Sequence, residues 1–179
     1  LPQPQVHASE PGTVDNQAMF ALSYGLFVLS AREGERDNAC IINTAAQVTD
    51  TPKRISITVN KQNLTHDMIL ETGVFNLSVL SQDASFAQFQ QYGFRSGRDT
   101  ADSLRYEPAG TNAVLSGKVI QTLDCGTHTL FLAEVTEARV LSAVPSATYA
   151  YYFEHIKPKP QPAAEKKTGF VCKICGYVY

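Results

Sequence analysis

The stretch NTAAQVTDTPKRISITVNKQNLTH, residues 43–66, places a strand pattern directly before a helix pattern. In its middle, apolar and polar residues alternate, which puts Ile55, Ile57 and Val59 on one face. This period of two predicts a β-strand over residues 51–60 with one buried face. The residues that follow it therefore lie at a junction between a strand and a helix.

The helix pattern covers residues 63–73, NLTHDMILETG. Thr65 is predicted as its N-cap, Asp67 suits its first turn, and Gly73 should end it. The free N–H groups of a first helical turn and the positive end of the helix dipole favour an anion, and a terminal phosphate is the obvious one. An ordinary capped helix beside an exposed Lys61 is the alternative, and the residues alone leave both open.

The junction offers several polar side chains to such an anion: Asn60, Lys61, Asn63, Thr65 and His66. The lysine supplies a cation, Asn63 an amide donor and Thr65 a hydroxyl. His66 could contact the phosphate or simply occupy the first helical turn. No G-x-G-x-x-G or Walker-type loop is present, so the usual dinucleotide and triphosphate cradles are excluded.

A second candidate segment is NTAAQVT, residues 43–49. The small side chains of Ala45 and Ala46 would let a flat ligand approach the backbone. Polar groups for the edge of a heterocycle come from Asn43, Thr44, Gln47 and Thr49. The alternative interpretation is a strand end packed closely against its neighbour.

The rest of the chain is rich in β-patterned segments: residues 24–32, 37–49, 74–81, 113–125, 127–142 and 148–156. Short helices are predicted at 16–25 and 85–93, and a polar loop at 94–106. Because the β segments mostly follow one another without long helices between them, the sequence predicts a mainly β fold. A closed antiparallel barrel with a few short helices is the expected form.

Composition and charge narrow the possible partners. The chain has 179 residues, of which 44% are hydrophobic, so one domain over residues 15–156 can bury a proper core. The net charge is −2 and the longest basic tract is Lys166-Lys167, so no nucleic-acid partner is expected. No apolar run approaches the ~18 residues of a membrane span, and no membrane partner is expected.

Residues 1–14 are rich in proline and glutamine and are predicted to be a tag or linker. They lack the basic start and apolar run of a secretory signal. The four cysteines do not form the pattern of a disulfide framework. A cytoplasmic location is therefore predicted.

Three stretches together carry a family resemblance: residues 24–80, GTHTLFLAEV at 126–135, and FQQYGFRSGRD at 89–99. They resemble the flavin reductase-like family of FMN-binding split barrels, in particular a subgroup that includes flavoredoxins and high-molecular-weight rubredoxins. The resemblance covers most of residues 16–156. It implies a six-stranded split barrel and a homodimer with FMN near the subunit interface.

The resemblance also assigns residues. Lys61, Asn63 and Thr65 match the family's phosphate-binding segment, although relatives often carry Arg and Ser where this chain has Lys61 and Asn63. Thr44 to Gln47 match the segment beside the isoalloxazine ring. His128 matches a histidine that lies near the nicotinamide site in some reductases. A histidine that alternates with leucines is also common in a core or interface, so both interpretations of His128 stay open.

The C-terminal part begins with a proline-rich spacer, predicted over residues 157–168. Residues 169–179 contain CKICGYVY, which resembles the first half of a rubredoxin. Cys172 and Cys175 are predicted ligands of iron or zinc, which need four thiolates in a tetrahedral site. A redox C-x-x-C motif would require a βαβ context, which the sequence lacks.

Two explanations account for the missing second pair of cysteines. The chain is expected to be part of a longer parent that carries a second C-x-x-C. The alternative is one metal shared by two protomers. Cys40 and Cys125 fall within the predicted barrel and are expected to behave as small apolar residues.

The predicted function is an FMN-dependent oxidoreductase. Electrons would pass from NAD(P)H through FMN to rubredoxin, free flavin or a similar acceptor. The alternative is a non-enzymatic carrier of the flavoredoxin type that partner proteins reduce. Because the cofactor carries the chemistry, no catalytic residue is named.

Overall fold

The computed structural model describes residues 11–94 and 109–159. In them, seven strands form one antiparallel sheet in the order β2-β1-β5-β6-β7-β4-β3. The strands are β1 Phe27–Glu33, β2 Arg36–Ile42, β3 Ala45–Thr49, β4 Arg54–Asn60, β5 Val74–Leu80, β6 Thr111–Asp124 and β7 His128–Val140. The prediction of a mainly β antiparallel fold is confirmed.

Short helices complete the described fold. A 3₁₀ helix spans Asn16–Ala21, α1 spans Leu64–Thr72, α2 spans Phe86–Gly93, and α3 spans Tyr149–Tyr151 before a π-helical turn, Tyr152–Ile156. None of these helices has the length and apolar character that crossing a membrane requires.

The described sheet has seven strands where the family resemblance implied six, and the predicted strand at 37–49 is two strands. It breaks at Asn43 and Thr44, which lie between β2 and β3. Strands β2 and β3 form opposite edges of the sheet, and only Asn43 and Thr44 connect them. The sheet therefore curls until its edges approach, as a split barrel requires.

Two local predictions were wrong. The predicted strand at 148–156 is wrong, because Tyr149–Tyr151 and Tyr152–Ile156 are helical. Thr148 is the N-cap of this segment and accepts a hydrogen bond from Tyr151 N–H at 3.1 Å. The N-cap of α1 is Asn63 and not Thr65, which lies inside the helix. The predicted end of α1 at Gly73 is confirmed, since Gly73 adopts a left-handed conformation with φ of 71°.

The inner face of the curled sheet encloses the main core. It is built from buried side chains of β1, β2, β4, β5, β7 and α1, including Leu29, Ile57, Met68, Leu77 and Phe131. The alternation predicted for β4 is confirmed, because Ile55, Ile57 and Val59 are all buried. A second cluster lies where α2 and the C-terminal helical turns cover other buried residues of β1 and β2.

Strands β6 and β7 form a long hairpin that both halves of the sheet share. Strand β5 pairs with β6 only as far as Lys118, whereas β4 pairs with β7 from Glu134 to His128. Register shifts in β6 at Ser116/Gly117 and Val119/Gln121 accompany this change of partner. The tip of the hairpin therefore lies beside the end of β4.

Several sequence predictions fall outside the described residues. They concern most of the N-terminal tag or linker at 1–14, most of the loop at 94–106, the spacer beyond Lys159, and the knuckle with Cys172 and Cys175.

Replacing Phe131 with alanine should destabilise the fold, because this fully buried ring lies in the main core. The expected loss is about 3–5 kcal/mol of unfolding free energy, measured by urea denaturation. Val140→Ala, at a residue 82% exposed on the same strand, is the control and should change stability by less than ~0.5 kcal/mol. Equal effects of the two substitutions would contradict this description of the core.

Candidate functional site

The candidate site begins at the junction of β4 and α1, where Lys61 meets the tip of the β6–β7 hairpin. Lys61 Nζ lies 2.7 Å from Asp124 Oδ1, and Lys61 N–H donates to Thr127 O at 3.0 Å. Asp124 Oδ1 also accepts from Gly126 N–H at 2.8 Å. The hydrogen bond from Lys61, supported by that from Gly126, holds the pKa of the Asp124 carboxyl below its ordinary value.

Two other predicted anion ligands of this junction are engaged inside the fold. Thr65 is fully buried, and its Oγ1 accepts a hydrogen bond from Asn38 Nδ2 at 2.7 Å. His66 is also buried, with Nε2 2.8 Å from Thr129 Oγ1 and Nδ1 2.9 Å from Asp67 Oδ1. These contacts tie the first turn of α1 to β2 and β7. Unlike Thr65 and His66, Lys61 has a partly exposed side chain that could bind an anion.

Asn63 is hydrogen-bonded to a buried thiol, Cys40. Burial raises the pKa of Cys40 to about 11, although hydrogen bonds with Thr65 and Asn63 oppose the shift. A thiol with so high a pKa stays protonated at neutral pH, as expected of a small core residue. Cys125, which was also expected to behave as a small apolar residue, is exposed at the hairpin tip.

Asn60 and His128 are brought together, since they face each other across the β4–β7 ladder. His128 is half-buried, and its Nδ1 lies 2.8 Å from Thr127 Oγ1. Leu130 is half-buried on the same face of β7, whereas Thr129 belongs to the buried face. His128 therefore lies on the outer face of the barrel and not in its core.

The segment at residues 43–49 forms the open edge of the sheet. Thr58 N–H donates to Thr44 O at 3.0 Å, and Thr44 Oγ1 donates to Thr58 O at 2.6 Å. Hydrogen-bonded and non-hydrogen-bonded pairs alternate along an antiparallel ladder, so the backbone amides of Ala45 and Gln47 point away from β4. In the described residues no other strand pairs with this edge, and these amides can bind a ligand.

A cleft of about 410 Å³ opens at this edge. Ala45, Ala46 and Gln47 line it, as the sequence predicted for a flat ligand, and apolar residues such as Phe27 and Leu77 form part of its wall. Asn43, in the link from β2 to β3, is half-buried and does not line this cleft.

Arg54 is a candidate that sequence reasoning missed. It lines the same cleft, and among the described residues its buried Nε has no hydrogen-bond partner. A buried donor without an acceptor is costly, so a bound oxygen or ring nitrogen would satisfy it. In the sequence its only signal is a cation beside the alternating strand, which looks like an ordinary solvent-facing position.

The spacing along β4 links the cleft to Lys61. Ala46 faces Ser56, which precedes Lys61 by five residues, so the two ends of the site are ~17 Å apart along the strand. A ligand with a flat ring at one end and an anionic group at the other fits this arrangement.

A larger cleft, of about 590 Å³, lies against β1, β5 and β6. Its lining includes Ser30, Asn76 and Ser116, and none of the residues predicted for the site. The smaller cleft is the better candidate because the predicted alanines, the open strand edge and the unpaired donor of Arg54 coincide there.

The model of the flavin reductase like domain matches residues 19–159, which is most of the chain. The chain belongs to the flavin reductase-like family. The predicted resemblance is thereby confirmed.

Relatives of this family member include a "High molecular weight rubredoxin" from Moorella thermoacetica, 35% identical over 93% of this chain and 83% of that protein. A "Ferric-chelate reductase (NAD(P)H)" from Archaeoglobus fulgidus is 33% identical over 78% of this chain and 89% of that protein. The solved flavoredoxin of Methanosarcina acetivorans has the same fold, with a TM-score of 0.62, 17% identity, and coverage of 89% of this chain and 97% of that one.

These matches confirm the family, its fold and the predicted class of enzyme, a reductase, and they support a flavin cofactor. The choice of FMN, rubredoxin as acceptor, the homodimer and the individual site residues stay predictions. Among the residues that the structure describes, no cluster of three or more metal-ligating side chains occurs. The predicted ligands Cys172 and Cys175 are outside that part of the chain.

Proposed function

We propose that this flavin reductase-like protein binds FMN along β3 and β4 and is an NAD(P)H-dependent oxidoreductase in the cytoplasm. Its acceptor would be rubredoxin, free flavin or a similar electron carrier. The observation that carries the proposal is the coincidence of an open strand edge, an apolar cleft and the unpartnered Nε of Arg54 at one end of β4, with Lys61 at the other.

The residues of the chain would divide the binding of FMN between them. Ala45 and Ala46 leave room for the ring at the cleft, and the outward amides of β3 would hydrogen-bond its polar edge. Arg54 Nε would donate to a ring oxygen or nitrogen. Lys61 and the backbone N–H groups at the start of α1 would bind the phosphate, with Asn60 and Asn63 nearby.

When bound, FMN accepts a hydride and releases electrons singly or in pairs, so it can join a nicotinamide donor to a one-electron acceptor. His128 lies on the outer face opposite Asn60, where it would border the nicotinamide. Thr65 and His66 would act by holding the start of α1 in place through their bonds to Asn38 and Thr129.

The proposed donor and acceptor take support from the relatives. One is named as an NAD(P)H-dependent ferric-chelate reductase and another as a high-molecular-weight rubredoxin. Cys172 and Cys175 would ligate iron or zinc together with a second pair of cysteines, in a longer parent or in a partner protomer. The protein would form a homodimer, with the FMN site of each protomer near the subunit interface.

A second candidate function is a pure FMN carrier that partner proteins reduce. The similarity to the solved flavoredoxin concerns the fold alone and does not separate the two functions. Direct reduction by a nicotinamide does separate them.

Lys61→Met should weaken FMN binding about tenfold, equivalent to ~1.4 kcal/mol, because it removes the cation proposed to pair with the phosphate. Riboflavin, which has no phosphate, should bind equally to the variant and the parent. Isothermal titration with both flavins measures the difference. Lys118→Met, at an exposed lysine of β6 that does not line the cleft, is the matched control and should leave the ratio of the two affinities unchanged.

Arg54→Met should weaken FMN and riboflavin by the same factor, roughly tenfold, because the lost donor would serve the ring that both flavins share. The same titrations test it, with Arg139→Met as an exposed arginine outside the cleft. An affinity for riboflavin that Arg54→Met leaves intact would exclude Arg54 from the ring site.

Anaerobic addition of NADH or NADPH to the FMN-loaded protein should reduce the flavin and so bleach its absorbance. Adding oxidised rubredoxin or a ferric chelate should then restore the absorbance. Stopped-flow spectroscopy measures both steps. A flavin that neither nicotinamide reduces, but a reduced partner protein does, would favour the carrier function instead.

A further inference from the structure

We propose that Asp124 is a built-in competitor for the flavin phosphate at Lys61, and that it sets how strongly the protein prefers FMN over flavins without phosphate. This inference rests on the proposed function, because it concerns the same lysine. It adds a residue of the β6–β7 hairpin to the determinants of ligand specificity.

Asp124 already occupies the place of a phosphate oxygen at Lys61. Asp124 Oδ1 lies 2.7 Å from Lys61 Nζ, which is the distance at which a phosphate oxygen would bind the same ammonium group. The carboxylate thus occupies a ligand position on the cation. A phosphate that binds Lys61 must either displace Asp124 or lie beside a second anion.

Backbone pairing fixes Asp124 in this place. Lys61 N–H donates to Thr127 O at 3.0 Å, and Cys125 N–H donates to His128 O at 2.9 Å. Asp124 itself accepts from Gly126 N–H across the turn. The carboxylate is therefore part of the hairpin tip and not a side chain that meets Lys61 by chance.

The ion pair between Lys61 and Asp124 is weak enough for a phosphate to replace. The side chains of Lys61 and Asp124 are 37% and 74% exposed, and ion pairs this open to solvent are weak. A phosphate carrying up to two negative charges can compete with a single carboxylate for the lysine. The repulsion between Asp124 and the phosphate, however, subtracts from the affinity for FMN and leaves the affinity for riboflavin untouched.

The Lys61–Asp124 ion pair would make the site selective for FMN over simple anions. With its charge matched by Asp124, Lys61 offers little attraction to simple anions. A ligand that is also anchored by its ring in the cleft at β3 reaches the lysine at high effective concentration and can displace the carboxylate.

The test is a double-mutant cycle with Asp124→Asn and Lys61→Met, in which the FMN and riboflavin affinities of the full chain are titrated at low salt. Asparagine keeps the shape and the acceptor for Gly126 N–H, and removes only the charge. FMN should bind the Asp124→Asn variant roughly three- to tenfold more tightly, with riboflavin unchanged. The gain should vanish in the Lys61→Met background and shrink in 1 M salt.

Glu137→Gln is the matched control, since Glu137 forms a comparable exposed pair with Arg139 outside the site, 2.8 Å apart. Asp124→Ala serves as a second variant, and thermal unfolding verifies that each variant is folded. FMN binding that stays equal or weakens in both Asp124 variants would overturn the inference. Equal gains for FMN and riboflavin would overturn it as well.

The cycle also separates this inference from the proposed function. If Lys61→Met leaves the preference for FMN intact, the phosphate lies elsewhere, and both the proposed phosphate site and the role of Asp124 fail. If Lys61→Met abolishes the preference while neither Asp124 variant raises it, only the role of Asp124 fails.

Discussion

The step from β2 to β3 constrains the rest of the fold. These strands follow each other in the chain but lie at opposite edges of the sheet, and only Asn43 and Thr44 separate them. Consecutive Cα atoms are ~3.8 Å apart, so Ile42 and Ala45 lie within ~11 Å of each other. The sheet has to curl until its edges nearly meet. This curl creates the enclosed face on which Leu29, Ile57 and Phe131 pack into one core.

The candidate site follows from that geometry. Because the link delivers β3 to an edge, one row of its backbone amides has no strand to pair with in the described fold. Strand β4 then leads from this row to the turn that holds Lys61, just before α1. The separation between the two ends of the site is therefore set mainly by the length of β4. The hairpin tip adds Asp124 at the far end, through pairing between β4 and β7.

Much of the fold could be predicted because the signals are local. The alternation of Ile55, Ile57 and Val59 and the helix stop at Gly73 depend on neighbours in the sequence. The break at Asn43 could not be predicted, because the residues on both sides of it have strand character. The alternation of apolar and polar residues does not show that the chain moves from one edge of the sheet to the other. The strand predicted at residues 148–156 was wrong because aromatic residues favour strands in general. Here the side chain of Thr148 caps a helical turn by accepting a hydrogen bond from Tyr151 N–H.

The site was predictable to a similar degree. Lys61 and the two alanines stand out as residue types in a pattern. The inward turn of Thr65 depends on Asn38, which is 27 residues away, and the pairing of Lys61 with Asp124 spans 63 residues. The open edge of β3, with Val48 half exposed, has one more consequence. An unpaired row of amides is a template for a strand of another chain, so the atoms proposed to hold the cofactor are also where the empty protein would begin to aggregate.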